Sequence, residues 1–305
     1  MLDYKQLQTL AAVLEEESFD KAARKLHVTQ SAISQRLRQL EEQIGKVLVI
    51  RTNPPQATDA GQLLLKHYRQ VMLLQVELDQ SLTKQAVNNY TQIAIGLNAD
   101  SLATWFLDAV TPLLERNKIL LDLKVEDQDQ THHLLRSGQV AGCISSSNSA
   151  MQGCNCIPLG VMPYRCIASP AYIKKYFPSG ITKKGFTQAP VAEFSNKDEL
   201  QNRYLSRFFD LKPNDYPKHR IPSTESFLQL IVQGHACGMV PDQQSEMLID
   251  TGKIVDMTPG RYIAVPLYWH VWGLNSDMYR KLTSALAMTA KQRLDPFNIH
   301  QDALN

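Results

Sequence analysis

At 305 residues the chain is long enough for a sizeable core and for more than one domain, since single cores tend to stop growing near ~250 to 300 residues. With 32 Lys and Arg against 30 Asp and Glu, the formal net charge of +2 excludes a polycation, so any affinity for nucleic acid has to come from locally clustered basic side chains. No apolar run approaches the ~18 residues that cross a bilayer. The opening MLDYKQLQTL, with Asp3 and Lys5, does not read as a secretory signal, and five cysteines in a long chain argue against a secreted disulfide framework. A soluble cytoplasmic protein with no membrane partner is expected.

From Tyr4 to Glu16, Leu7, Leu10, Ala11 and Leu14 recur at intervals of three and four, which predicts a helix with one buried face. Ser18 is a natural cap for a second helix over Asp20 to Leu26, followed by a turn at His27 and Val28. Thr29 caps a third helix with Ile33, Leu37, Leu40 and Ile44 in one arc, and Gly45 ends it. Lys46 to Gln56 predicts a short strand pair turning at Asn53, Pro54 and Pro55, a wing. Thr58 then caps a long helix in which Leu64, Tyr68, Val71, Gln75, Leu78 and Leu82 form an a/d seam that calls for a partner helix. Beyond it, TQIAIGL and ILLDLKVE alternate as strands around the helical SLATWFLDAVTPLLE. The pattern continues to a strand at VPLYWHVW and a last helix near Asp277 to Arg293. Strand, helix, strand repeats predict a largely parallel sheet covered by helices.

The third helix turns Ser31, Ser34, Gln35, Arg38 and Gln39 away from its apolar arc, with Gln30 at the flank of the first turn. These are the side chains that hydrogen-bond base edges and phosphates in a major groove. Ala22 and Ala23 are small enough to let the second helix close on the third at a helix-turn-helix angle. A solvated polar face on an ordinary helical pair is the alternative. It does not account for cap, turn, alanine pair and wing occurring together.

AARKLHVTQSAISQRLRQLEEQIGKVLVIRT resembles the N-terminal winged helix-turn-helix of the LysR-type transcriptional regulators, with their alanine pair, T-Q-S-A-x-S, L-E and later R-T. The resemblance extends over essentially the whole chain. NADSLATW, VED, APVAEF, STESFLQL, MTPG and LYWH are similar to the branch of that family responsive to lysine and arginine. It implies an α+β multidomain protein. A winged helix-turn-helix over residues 1–57 is followed by a dimerising linker helix over 58–88. A two-lobed, periplasmic-binding-protein-like α/β effector domain over 89–305 has lobe I at about 89–163 and 267–305, and lobe II at about 164–266. It further implies double-stranded DNA as a partner, a homodimer or homotetramer, and RNA polymerase at promoters. Carried onto this chain, Gln30, Ser31, Ser34 and Gln35 fall at base-proximal positions, Thr29, Arg36 and Arg38 at phosphate-proximal ones, and Arg51, Pro54 and Pro55 in the wing.

Asn98, Ala99, Asp100 and Ser101 lie where the first strand of the α/β region gives way to its helix, the usual ligand crevice of an open α/β sheet. A helix start with a Ser101 hydroxyl suits a carboxylate, whereas Asp100, with Glu126 and Asp127 after the next strand, suits an ammonium or guanidinium. Together they fit a basic amino acid. Ser223, Thr224 and Glu225 head a helix that would face this crevice, and the family positions add Ser145, Ser146, Phe194 and Trp269.

G-x-S-x-G, P-loop, G-x-G-x-x-G and H-E-x-x-H signatures are missing from the sequence, so neither an enzyme nor a cofactor is expected. Cys154 and Cys156 form a C-x-C suited to a metal or an oxidant, yet no second ligand pair stands nearby at zinc-site spacing. His132 and His133 are neighbours on a helix, point in different directions, and read as surface residues. A periplasmic solute-binding protein would share the two-lobed region, but would not need the helix-turn-helix.

Overall fold

A computed structural model of the chain describes residues 2–82, 90–126, 131–149 and 151–297. The N-terminal unit is built from α1 (Tyr4–Glu15), α2 (Phe19–Lys25), α3 (Gln30–Ile44) and the paired strands β1 (Val49–Ile50) and β2 (Gln56–Ala57). Each helix starts on a side-chain cap: Asp3, Ser18 and Thr29 accept from the amides of Lys5, Lys21 and Ala32. Gly45 ends α3 at φ 72°, the left-handed conformation that glycine adopts without cost. Leu7, Leu10, Ala22, Ala23, Ile33, Leu37, Leu40, Leu48 and Val49 close the core, each fully buried leucine contributing about 1.5–3 kcal/mol. A carboxylate fixes the wing. Glu41 Oε1 accepts from the amides of Leu48 at 2.8 Å and Val49 at 3.3 Å.

The long helix α4 (Asp59–Leu82) leaves the wing with Thr58 Oγ1 accepting from the Gly61 amide. A Cβ on Gly61 would lie 2.1 Å from the Leu48 carbonyl oxygen, so only glycine lets the helix approach the wing this closely. Leu64 and Tyr68 pack against the N-terminal core, and Leu73 against the core of the remainder.

That remainder runs through β3 (Thr91–Leu97), α5 (Ala99–Ser101), a π-helical turn over Leu102–Phe106, α6 (Leu107–Arg116), β4 (Ile119–Val125), α7 (Thr131–Arg136), β5 (Gly142–Ser145) and β6 (Cys154–Ala168). It continues with α8 (Pro170–Tyr176), α9 (Lys183–Phe186), β7 (Val191–Glu193), α10 (Leu200–Phe209), β8 (Lys218–Arg220) and α11 (Thr224–Val232). The chain closes with β9 (Cys237–Pro241), α12 (Asp242–Asp250), β10 (Val255–Asp256), β11 (Tyr262–Trp272) and α13 (Asp277–Arg293). Among the described residues the strands form one sheet in the order β4-β3-β5-β11-β6-β9-β7-β8, with β10 on β6.

The sheet is mixed rather than largely parallel. β3 runs parallel to β4 and β5, and β7 parallel to β8 and β9, but β6 and β11 pair antiparallel with each other and with their neighbours. The reason is topological: β6 and β11 carry the chain between the two parallel groups, one outward and one back. Their register shifts between Leu267 and Tyr268, opposite Gly160. There a Cβ would lie 2.7 Å from Leu294 Cβ, because the segment after α13 bridges Val161 through Asp295. The two parallel groups are thus two lobes joined by a pair of crossing strands.

Candidate nucleic-acid interface and effector cleft

Along α3, burial follows the apolar arc and leaves a polar one outside. Ile33, Leu37 and Leu40 are buried, Thr29, Gln30, Ser31, Gln35 and Arg38 are exposed, and Ser34 and Arg36 are half-buried at the margin. Thr29 Oγ1 caps the helix and stands 2.9 Å from Ser31 Oγ, which fixes the first turn. In the wing, Arg51 and Pro54 are exposed, while Pro55 is buried and takes no part in the open surface. The Arg51 guanidinium lies over the Phe19 ring, 5.7 Å from its centroid, so α2 orients the wing's cation. A convex helix with small polar groups, flanked by cations, can enter a major groove.

The second site lies at the carboxyl ends of β3, β4, β7 and β9, in a cleft of about 650 Å³ that includes the solvent at its mouth. The first lobe contributes Asn98, Ala99 and Asp100 at the start of α5, and Glu126 after β4. The second lobe contributes Phe194 and the Lys197–Leu200 stretch before α10, Thr224 and Phe227 from α11, Met239–Pro241 from β9, and Gln244 from α12. Charge is unbalanced here. Asp100, Glu126, Asp198 and Glu199 line the cleft together with one cation, Lys197, whose ammonium stands 3.8 Å from Glu126.

Asp100 is held in place from the connecting strand β6: the Tyr164 hydroxyl donates to its Oδ2 at 2.8 Å. Burial, then the nearby Asp100 carboxylate, push the Tyr164 phenol well above its usual range, so it stays a proton donor. Asp198 caps the turn into α10 by accepting from the amides of Phe194 at 2.9 Å and Leu200 at 3.0 Å. Asn98 is buried at the cleft edge, and its Oδ1 has no hydrogen-bond partner among the described residues. Such a group suits a ligand donor.

Of the residues named from sequence, the cleft therefore gathers Asn98, Ala99, Asp100, Glu126, Phe194 and Thr224. Ser101 is fully buried and does not line the cleft, its Oγ without a partner among the described residues, because the helix turns that side chain toward the core. Ser145 accepts from the Ser147 amide at the end of β5, and neither it nor Ser146 lines the cleft. Ser223 caps α11 by accepting from Ser226, and Glu225 is exposed on the outer side of that helix. Trp269 belongs to the interior: its Nε1 donates to Thr283 on α13, and its ring leaves no space for a Cβ on Gly142. Asp127 lies outside the described residues. Lys197, Asp198, Glu199, Gln244 and Tyr164 carried no motif that would have singled them out. Only the first three, a charged triplet after APVAEF, offered a sequence signal.

His132 is not a free surface residue. Its Nε2 lies 3.1 Å from Nε2 of the buried His270, whose ring also faces Cys156 Sγ at 3.7 Å, while His133 is exposed. Burial lowers the affinity of both imidazoles for protons and raises the thiol pKa values of Cys154 and Cys156, with Cys143 pushed up to about 12. Among the described residues the cysteines are free thiols, and no group of three or more metal-ligating side chains is arranged to hold an ion. No helix among them is long and apolar enough to cross a membrane.

Residues 4–62 match the family model of bacterial regulatory helix-turn-helix proteins, lysR family. The HTH-type transcriptional regulator ArgP of Aeromonas salmonicida is 40% identical over 295 residues, 97% of this chain and 99% of that one. The crystal structure of ArgP from Mycobacterium tuberculosis superposes with a TM-score of 0.87 at 36% identity, covering 97% of this chain and 100% of that one. Full-length LysG from Corynebacterium glutamicum, with bound effector Arg, gives 0.80 at 32% identity over the same shares. With a helix-turn-helix at its head, a two-lobed sheet behind it and relatives matched along nearly their whole length, the chain belongs to the LysR family of DNA-binding transcriptional regulators.

Proposed function

We propose that the protein controls genes of amino-acid transport or metabolism in response to a basic amino acid, arginine or lysine, bound in the cleft. The carrying observation is the charge of the cleft: four carboxylate side chains and one lysine line it, with Asp100 fixed by a buried phenol. Asp100 receives a cationic group, Glu126, Asp198 and Glu199 receive the other, and Thr224 at the start of α11 meets the α-carboxylate. The arginine bound in LysG supports this reading, as does the kinship with ArgP. Thr29 to Arg38 reads the operator. The outer face of α4, with Leu78 and Leu82, pairs two copies, and RNA polymerase is the partner at the promoter in the cytoplasm. The working division is a DNA-binding unit over 1–57, a linker over 58–88 and an effector domain over 89–305.

Calorimetric titration of the full-length protein tests the effector. Arginine or lysine is expected to bind at least ten times more tightly than neutral amino acids, and Asp100→Asn to abolish that binding while ligand-free DNA affinity is kept. Equal binding of neutral amino acids, or normal lysine binding by Asp100→Asn, would reduce the acidic cluster to surface charge.

A further inference from the structure

One side chain touches all three parts of the chain. Arg69, on α4, donates from Nη1 to the Gly138 carbonyl at 2.7 Å, and its Nη2 donates to Glu15 Oε1 at 3.1 Å. Glu15 ends α1 in the DNA-binding unit, and Gly138 lies in the turn after α7 in the first lobe. Neither partner is loose. The other oxygen of Glu15 meets Lys25 Nζ at 3.4 Å, and Lys25 also holds Glu16 at 2.9 Å. Gly138 has φ 72°, and a Cβ on it would lie 2.8 Å from the Cα of Lys66, so this turn rests directly on the backbone of α4. Thr131 Oγ1, at the head of α7, donates to the Ile144 carbonyl and so anchors α7 to the sheet. Thr131 stands five positions after the cleft residue Glu126.

A guanidinium is a planar fork that serves two acceptors at once only when both stand where its N–H groups point. A bond of 2.7 or 3.1 Å is lost beyond ~3.5 Å, so a displacement on the order of 1 Å at either end decides whether the fork closes. The Gly138 turn is carried by the lobe that supplies Asp100 and Glu126. We infer that Arg69 is a positioning residue that couples the state of the effector lobes to the placement of the recognition helix, by holding the Gly138 turn and the end of α1 to one point of α4. Closure of the lobes on a ligand moves one acceptor relative to the other, and by linkage DNA seating on α3 acts back on the lobes. The inference rests on the proposal that the cleft binds an effector.

The experiment uses full-length wild type, Arg69→Met, Glu15→Gln and the double variant. Arginine and lysine serve as probes, with a DNA fragment that the wild type selects from a random pool. Calorimetry reads ligand binding, and fluorescence anisotropy reads DNA affinity with and without ligand. In wild type the ligand is expected to change DNA affinity at least ~5-fold, in the usual range of such couplings. Both single variants should bind ligand within about 2-fold of wild type yet show a change below about 2-fold, and the double variant should lose no more than either. Normal ligand binding with an undiminished ratio in Arg69→Met overturns the inference. If wild type binds neither probe, the effector reading fails, and hydrogen exchange then tests the coupling by itself. Faster exchange in Arg69→Met at both residues 134–140 and the end of α1 supports it, and unchanged exchange at either place overturns it.

Discussion

The two surfaces differ in how their side chains are held. On α3 the outward groups stand on a helix fixed by its cap and its buried arc, so each acts nearly independently of the others. Ser34→Ala or Gln35→Ala is therefore expected to relax preference at one base pair, at about 1–3 kcal/mol per lost contact. Arg38→Ala should weaken binding to every sequence and lower the salt slope by about one per phosphate contact. Anisotropy titrations against matched and mismatched duplexes at several salt concentrations separate the two effects, and a uniform loss in all three variants would remove the recognition role. In the cleft, by contrast, Asp100 depends on a partner 64 positions away, Tyr164. Tyr164→Phe removes a hydrogen bond to a charged group, typically worth about 1.5–3 kcal/mol. Arginine affinity is expected to fall about tenfold or more by calorimetry, with DNA affinity in the absence of ligand unchanged. Unaltered arginine affinity would show that Asp100 needs no such support.

Elements carry the division of labour. The apolar stripe of α4 divides along its length: Leu64 and Tyr68 pack on the core of their own chain, whereas Leu78 and Leu82 are 55% and 71% exposed. A stripe read as one seam is thus split, because the first turns of the helix are needed to finish a small N-terminal core. Leu78→Glu is accordingly expected to shift the protein toward monomers in sedimentation, an unpaired charge in an apolar contact being strongly unfavourable. DNA affinity should drop with it as bivalency is lost. An unchanged sedimentation coefficient would place the subunit contact elsewhere. The π-helical turn between α5 and α6 is a second element-scale feature, and it left no mark in the periodicity of SLATWFLDAVTPLLE.

At the scale of the whole molecule, the sheet places α7 against both β5 and β3, and His132 against His270 on β11. Burial holds both imidazoles below their ordinary value of 6.5. Between that value and the lowered one, the unfolded chain binds protons that the folded chain refuses, so stability is complete above pH 6.5 and declines as the pH falls below it. Thermal unfolding midpoints should fall from pH 7 to pH 5, and His132→Gln should show a shallower decline. Matching pH profiles for wild type and variant would exclude the pair as the source.

Much of the DNA-binding unit was legible in the sequence. The caps Ser18, Thr29 and Thr58, the stop at Gly45 and the arc Ile33, Leu37, Leu40 are set by contacts within a turn or two. Strands β3 and β4 and helix α13 followed from periodicity alone, with bounds within a residue or two of those expected. The cleft was legible only in part. Asn98, Asp100 and Glu126 sit at strand ends, where the position of a crevice follows from the order of elements. Lys197, Asp198, Glu199 and Gln244 reach it, and Tyr164 reaches Asp100, because β6 and β11 cross between the two parallel groups and join them in one sheet. The same crossing sends Trp269 inward, since neighbours along a strand face opposite sides of the sheet and LYWH does not say which side is covered. Local sequence determined the helices and caps, whose hydrogen bonds are satisfied within or next to each segment, and marked strands β3 and β4 by their alternation. Tertiary structure alone decided which carboxylates share the cleft and which side chain holds α4 to both of its neighbours, because those contacts join residues 54 to 71 positions apart: Glu15 and Arg69, Asp100 and Tyr164, Arg69 and Gly138, Glu126 and Lys197.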